Sequence, residues 1–380
     1  MRDSNLSRRS FAGAAAAFSI VAPQAVRGSA ANSKISVGLI GTGNRGSYDA
    51  KLVNADPRAR VTALCDLFDD RLEKATAEIH AENPKLYKDF EKLLAAPDID
   101  AIIIATPPFE HPRMLAAAVE SKKHIYCEKP MGVDLQGVKT CIAASRRQDP
   151  KKNLFVGFQQ RYGSEYLEGY RRLTNGQIGE LVNARAFWIA SDPFKRVHYD
   201  DPKTDRLRNW FCYRDLSGDF IVEQDCHNFD VLHWYLNARP ISAVGMAGTK
   251  VRTSMEILDH LTLSFEFPNG LHVNFEANQL SPPGFSRVGE EFTGTKGVIQ
   301  TSRQRMVHIK GRGPENVETI EPKHRDITQE AFEIFLENIE TGKVANVAER
   351  SAISTLFAIL GRTALYQKRV ATWKGEFGDV

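Results

Sequence analysis

Three groups of residues in this chain have the types and spacing to do chemistry. Glu128-Lys129-Pro130 sets an acid beside an amine at the end of a short apolar run, His124 to Cys127. Glu223 and His227 stand four apart, a spacing that puts a carboxylate and an imidazole on one helix face, one turn from each other, with Asp230 extending that side. Gly41-Thr42-Gly43-Asn44-Arg45-Gly46 follows the apolar stretch Lys34 to Ile40 and precedes a helical one, Ser47 to Ala55. An amine or imidazole within reach of a hydroxyl can take its proton while the carbon loses a hydride, provided its pKa is brought into range. Strand, G-x-G-x-x-G and helix in that order form a cradle for a pyrophosphate. Gly41 makes the turn, Gly43 lets backbone approach the phosphates, Gly46 lets helix and strand close up, and the helix's first N–H groups favour the anion.

These groups need a sheet to present them, and the flanking sequence supplies one. A second strand, Arg60 to Cys65, ends in Asp66, 20 positions after Gly46. A carboxylate there accepts hydrogen bonds from ribose hydroxyls and repels a 2′-phosphate, so NAD is the expected cofactor, with NADP left possible by Arg45 and Arg71. The apolar run Ala101 to Ala105 reads as a buried strand ending in Thr106-Pro107-Pro108, at the carboxyl end where such sheets bind ligands. His111 opens the next helix and reads as a local cap beside that cofactor crevice rather than as a catalyst. Helices Asp69 to Ala81 and Asp134 to Arg147, with a strand Asn153 to Gln159, complete a Rossmann-type doubly wound parallel sheet over residues 34–158. From residue 159 the pattern changes. A helix, Gln160 to Thr174, leads into strand-like stretches Glu180 to Ala190, Ile241 to Val251, Leu261 to Phe267, Leu271 to Asn278, Arg287 to Thr293 and Val298 to Gln300. The expectation is α/β overall, the second part (159–380) being an α+β domain with an open, largely antiparallel sheet. Helices Ala331 to Ile339 and Ala348 to Tyr366 are expected to pack back on the first domain.

Residues 1–33 read as an address. Ser7-Arg8-Arg9-Ser10-Phe11 precedes an apolar run from Ala12 to Ala22, too short to span a bilayer comfortably and typical of a twin-arginine export signal. Export through that machinery, to the periplasm, is the expected localisation. The five cysteines form no C-x-x-C pair, which speaks against a disulfide framework or structural zinc. Lys and Arg total 50 against 47 Asp and Glu, interspersed, so no basic stripe points to nucleic acid. Glu223 and His227 are of metal-ligand type, but no third ligand stands at a convincing spacing, and no metal is expected.

The glycine loop, Thr106-Pro107-Pro108 and Glu128-Lys129-Pro130, in this order and spacing, resemble the glucose–fructose oxidoreductase / inositol dehydrogenase (Gfo/Idh/MocA) family over nearly all of the chain after residue 33. The resemblance implies an oxidoreductase that moves a hydride between NAD and a hydroxyl-bearing carbon. It implies that Lys129 and His227 share the proton work and that the acid at 223 orients them; Asp is usual where this chain has Glu223. Glu128 is expected to position Lys129 or to touch the cofactor. The cofactor set is then Gly41, Gly43, Asn44, Arg45, Gly46, Asp66, Thr106, Pro107, His111, Glu128 and Lys129. Arg161, Tyr162, Trp210, Asp225 and Asn228 are expected sugar contacts. The resemblance, to a family in which such an antiparallel sheet often forms a subunit interface, implies a homo-oligomer, a dimer or tetramer. The expected activity is oxidation of a sugar, polyol or glycoside hydroxyl, with the cofactor held tightly because an exported enzyme meets no free pool. Redox-assisted glycoside cleavage or elimination with recycled NAD is the alternative; a non-catalytic sugar-binding protein is a third, against which the joint presence of Lys129, Glu223 and His227 speaks.

Overall fold

In the computed structural model, which describes residues 34–380 apart from Pro283 and Arg325, six parallel strands form the first sheet. The expected signal, residues 1–33, lies outside the described residues. The strands are β1 (Ile35–Ile40), β2 (Ala59–Cys65), β3 (Lys85–Tyr87), β4 (Ala101–Ile104), β5 (His124–Cys127) and β6 (Leu154–Val156), in the order β3-β2-β1-β4-β5-β6. Strands β1, β4, β5 and β6 are buried on both faces because helices cover both. The order reverses between β1 and β4, which opens a crevice at their carboxyl ends.

The second sheet has nine strands. They are β7 (Leu181–Ile189), β8 (Ser242–Gly248), β9 (His260–Glu266), β10 (His272–Asn278), β11 (Arg287–Gly294), β12 (Gly297–Ser302), β13 (Arg305–Ile309), β14 (Val317–Ile320) and β15 (Ala371–Thr372). Every pairing is antiparallel except β7 with β10. Strands β9 and β10 alternate buried and exposed residues, as a half-covered sheet should. The strands β3, β14 and β15 are only two to four residues long, and β13 only five, too short to announce themselves in sequence. The expected helix from Gln160 begins only at Ser164, because Gly163 stays extended as its N-cap after a 3₁₀ turn over Gln159–Arg161.

Two late helices join the sheets. Ile327–Thr341 sends Phe332, Phe335 and Leu336 into one core with Val37, Leu39, Ile103, Tyr126 and Phe155 of the first sheet. Ala348–Gln367 is buried over most of its circumference, packing on helix Leu135–Ser145 on one side and on β8 on the other. It also holds the turn after β5: Met131 N–H donates to Thr355 Oγ1 at 3.1 Å, and Arg362 donates to the Val133 carbonyl at 2.8 Å and the Gly218 carbonyl at 3.0 Å.

Phe335 is almost fully buried, its ring 5.6 Å from that of Tyr126 and 5.3 Å from that of Phe155. Phe335→Ala should cost about 3–5 kcal/mol of stability. A thermal melt in which the midpoint drops by several degrees checks this; an unchanged midpoint means the helix is not part of the first-sheet core.

Candidate active site

At the switch point β1 runs into the glycine loop. Gly41 has φ +90°, and a Cβ there would stand 2.7 Å from Ala105 backbone; a Cβ on Gly46 would stand 1.9 Å from the Gly41 carbonyl oxygen. Both residues therefore have to be glycine for the loop to fold between β1, β4 and the helix. Gly43 differs: nothing lies within 4 Å of its absent Cβ, so its backbone faces open space. The helix that follows, Asn44–Ala55, has no side-chain cap and no acid in its first turn, leaving its N-terminal N–H groups free for an anion.

A cavity of about 530 Å³ extends from this loop. At one end lies Asp66, whose carboxylate accepts from Thr42 N and Oγ1 at 2.9 and 3.1 Å and from Phe68 N at 3.1 Å. It thus fixes the glycine loop while lining the cavity. Thr106 and Pro107 line the middle, as do Asn44, Arg45 and Glu128. Arg45 donates through Nε and Nη2 to Glu128 at 3.0 and 2.8 Å. A neighbouring buried carboxyl, Asp49, is held well above the usual carboxylate range by burial, with Glu128 adding to the shift and Arg45 opposing it.

The other end brings the two domains together. Lys129 Nζ donates to Glu223 Oε1 at 2.9 Å and also to the Glu223 carbonyl. The two side chains are only 12% and 17% exposed. Burial works against the ammonium, but Glu223, then Cys226 and Glu128, outweigh it, and the Lys129 pKa lies above the ordinary lysine value. The condition under which Lys129 could act as a free base, a lowered pKa, is therefore not met here. His227 is the opposite case. Burial, then Arg303, Lys129 and Arg45, push its pKa well below 6.5, so the imidazole is neutral. Its ring stacks on Trp188 at 5.9 Å and meets the Phe158 edge at 6.0 Å, while Nδ1 has no hydrogen-bond partner.

The single helix expected over Glu223 and His227 is in fact two, Phe220–Glu223 and Cys226–Leu236. Asp219 starts the first with φ +71°, its carboxylate accepting from Phe220 N at 2.6 Å and Leu258 N at 3.1 Å. The break at Gln224-Asp225 separates the pair in backbone, yet both side chains line the cavity.

Several expected contacts lie elsewhere. Arg161 does not line the cavity; its guanidinium is engaged by Asp230 at 2.8 Å, and Ser354 Oγ also donates to Asp230. Tyr162 stacks on Phe155 and accepts from Arg350 through its hydroxyl. Asn228 donates to Glu290 at 2.6 Å inside the second domain. Asp225 is fully buried with neither oxygen hydrogen-bonded, and burial raises its carboxyl pKa well above normal. His111 does not line this cavity either: Nδ1 and Nε2 each lie 2.8 Å from a carbonyl, of Pro130 and Thr106, so it ties the turns after β5 and β4 together. Gly46 acts through packing rather than exposure. Trp210 does reach the cavity, beside Phe194 and Phe211, which stack at 4.4 Å. These come from the segment 192–212, anchored across the crevice by Arg208, which donates to Asp70 at 2.8 Å and lies 3.9 Å over the Phe68 ring. Gln159, Trp188 and Arg303 also line the site. No motif marks them, since each comes from a turn or strand end set beside the cleft only by the fold.

Comparison with known proteins gives the following. The model of an oxidoreductase family with an NAD-binding Rossmann fold, GFO/IDH/MocA, matches residues 35–158, and that of the GFO/IDH/MocA C-terminal domain matches residues 166–300. Myo-inositol 2-dehydrogenase of Thermotoga maritima is 25% identical over 345 residues, covering 88% of this chain and 97% of its own. The scyllo-inositol 2-dehydrogenase (NAD(+)) of Bacillus subtilis is 26% identical, covering 84% and 90%. Among solved structures, a levoglucosan dehydrogenase complex with NADH and levoglucosan superposes with a TM-score of 0.76 at 17% identity, covering 89% of this chain and 99% of its own.

Removing the counter-charge of Lys129 leaves burial unopposed by its main partner. In Glu223→Gln the Lys129 pKa should therefore fall, by about one unit or more, raising the neutral amine about 10-fold at a given mildly alkaline pH. The pH dependence of amine acylation at Lys129, followed by peptide mass spectrometry, measures this; an unmoved or raised midpoint refutes the assigned balance of charges.

Proposed function

Since the chain belongs to the GFO/IDH/MocA oxidoreductase family, and is thus an NAD-dependent dehydrogenase acting on CH–OH groups, we propose that it oxidises a hydroxyl of a sugar, polyol or glycoside outside the cytoplasm while keeping its cofactor bound. The observation that carries the chemistry is a neutral imidazole, His227, and a charged ammonium, Lys129, lining one cavity with the glycine loop. The substrate class follows the relatives, whose names are those of inositol dehydrogenases, and the levoglucosan dehydrogenase fold neighbour.

The residues present fit NAD. The open backbone at Gly43 and the uncapped helix would take the pyrophosphate, and Asp66 the ribose hydroxyls. When bound, NAD supplies the hydride acceptor. His227 takes the hydroxyl proton, because it is neutral and buried beside the ammonium. Lys129 donates a hydrogen bond to the same oxygen and stabilises negative charge gathering there. Glu223 holds Lys129 in place and keeps it charged. In the reverse direction His227 returns the proton. Phe194, Trp210 and Phe211 roof the crevice and exclude water, and the Arg208–Asp70 pair closes the segment over it. That closure supports a cofactor retained through export, and the Arg8-Arg9 segment supports the twin-arginine route. Self-association through the second sheet belongs to the same reading, with Val244 and Met246 exposed on β8.

Purified protein, unfolded and examined by mass spectrometry, should release NAD, and a sugar and polyol screen should raise the reduced-nicotinamide absorbance. Lys129→Met and His227→Asn should each lower kcat about 10²–10⁴-fold while NAD content is kept. Only the unprotonated imidazole accepts a proton, so the acid limb of kcat should lie below 6.5, the ordinary histidine value. A limb at or above that value removes His227 as the base. Release of an aglycone without net reduction of NAD identifies redox-assisted cleavage instead. Arg8→Lys combined with Arg9→Lys should leave the protein in the cytoplasmic fraction; unchanged periplasmic yield rejects the export route.

A further inference from the structure

We propose that the substrate carries a carboxylate, as in a sugar acid or uronic-acid glycoside, and that Arg303 binds it. This deepens the dehydrogenase reading and rests on it. Seven Lys and Arg line the cavity against four Asp and Glu. Five of the seven cations pair with a carboxylate. Among the described residues the two that do not are Arg71, at the Asp66 end, and Arg303, at the His227 end. Arg71 stands where the adenosine half of the cofactor belongs. Arg303 stands at the opposite end, where the oxidisable carbon must lie.

Arg303 sits at the tip of the β12–β13 hairpin. Ser302 Oγ accepts from the backbone N–H groups of Gln304 and Arg305, both at 3.3 Å, and fixes that tip. The guanidinium lies 5.2 Å from the Trp188 ring, which in turn stacks on His227. Its Nε is buried without a partner, and no carboxylate lies within 4.0 Å of it among the described residues. Two buried carboxyls act on it from a distance: Glu128, which is already paired with Arg45, and Glu290, which accepts from Asn228 and Thr301 and whose pKa burial lifts to about 8. Burial and the Arg45 charge both weigh against the Arg303 cation. A half-buried cation with no counter-charge and a buried, unpartnered Nε is costly, and a neutral polyol would leave it so. A carboxylate matches the planar fork of a single guanidinium and removes the cost. A dianionic phosphate would need further free cations, and the neighbouring ones are already paired.

The test uses the holoenzyme and matched pairs that differ in a carboxylate for a hydroxymethyl group: glucuronate and glucose, galacturonate and galactose, and their methyl glycosides. In at least one pair the acid should have a kcat/KM about 100-fold higher, mostly through KM. Arg303→Met should shrink that ratio to near unity at unchanged NAD content, and Arg303→Lys should restore part of it. Calorimetry of acid binding to the NAD-loaded Lys129→Met protein, with and without Arg303→Met, gives a readout free of turnover. Should Arg303→Met not fold, Arg303→Lys carries both arms through a partial loss. A wild-type preference for the neutral member, tighter binding of hexose 6-phosphates, or a ratio that ignores Arg303 overturns the proposal. If no compound is oxidised yet acid binding still depends on Arg303, the dehydrogenase reading falls and the carboxylate site stands. If neutral sugars are oxidised and Arg303 does not matter, the reverse holds.

Discussion

The Lys129–Glu223 ion pair is the contact on which the site depends, because its halves come from different domains. Lys129 hangs from the end of a strand in the parallel sheet, and Glu223 ends a one-turn helix beside the second sheet. A nearly buried pair of this kind adds little net stability, since desolvation consumes most of the attraction. What it fixes is position. The long helix Ala348–Gln367 fixes the same thing from behind: Thr355 and Arg362 hold the turn after Lys129, and Ser354 holds Asp230 on the His227 helix. One helix therefore braces the segments that carry both parts of the catalytic pair, across the domain boundary.

The same arrangement sorts the two titratable groups. Burial alone would push both the amine and the imidazole toward their neutral forms. Glu223 rescues the charge of Lys129, and the rescued charge then adds to the burial that keeps His227 neutral. A single carboxylate thus separates a donor from an acceptor. Glu223 is one methylene longer than the aspartate that the family resemblance leads one to expect at this position. It reaches Lys129 from before the helix break.

The sequence carried the first domain almost entirely, because glycine loops and all-apolar strands leave local signatures: Gly41, Gly46 and Asp66 could be read from spacing alone. It also carried Lys129, Glu223 and His227 as a set. It misjudged groups whose partners are remote. Arg161, Tyr162 and Asn228 are polar and close in sequence to the motifs, yet Asp230, Arg350 and Glu290 claim them, and no local pattern records such pairings. Arg303 shows the converse. It sits in an unremarkable hairpin, and only the register of β11, β12 and β13 carries its side chain to the cleft.

Unsatisfied polar groups then say which part of the cavity awaits a ligand. Buried donors and acceptors in native proteins are nearly always paired, so a cluster of exceptions needs a cause. At the Asp66 end the carboxylate already accepts three hydrogen bonds, two from Thr42 of the glycine loop and one from Phe68 N. Five cavity-lining atoms are buried without partners: Thr106 Oγ1, Arg208 Nε of the Asp70-paired guanidinium, and, gathered at the other end from three separate elements, Gln159 Oε1, His227 Nδ1 and Arg303 Nε. An acceptor, a neutral imidazole and a cation left open together cannot be satisfied by one another at their observed positions. They are satisfied by a molecule that brings hydroxyls to the first two and negative charge to the third.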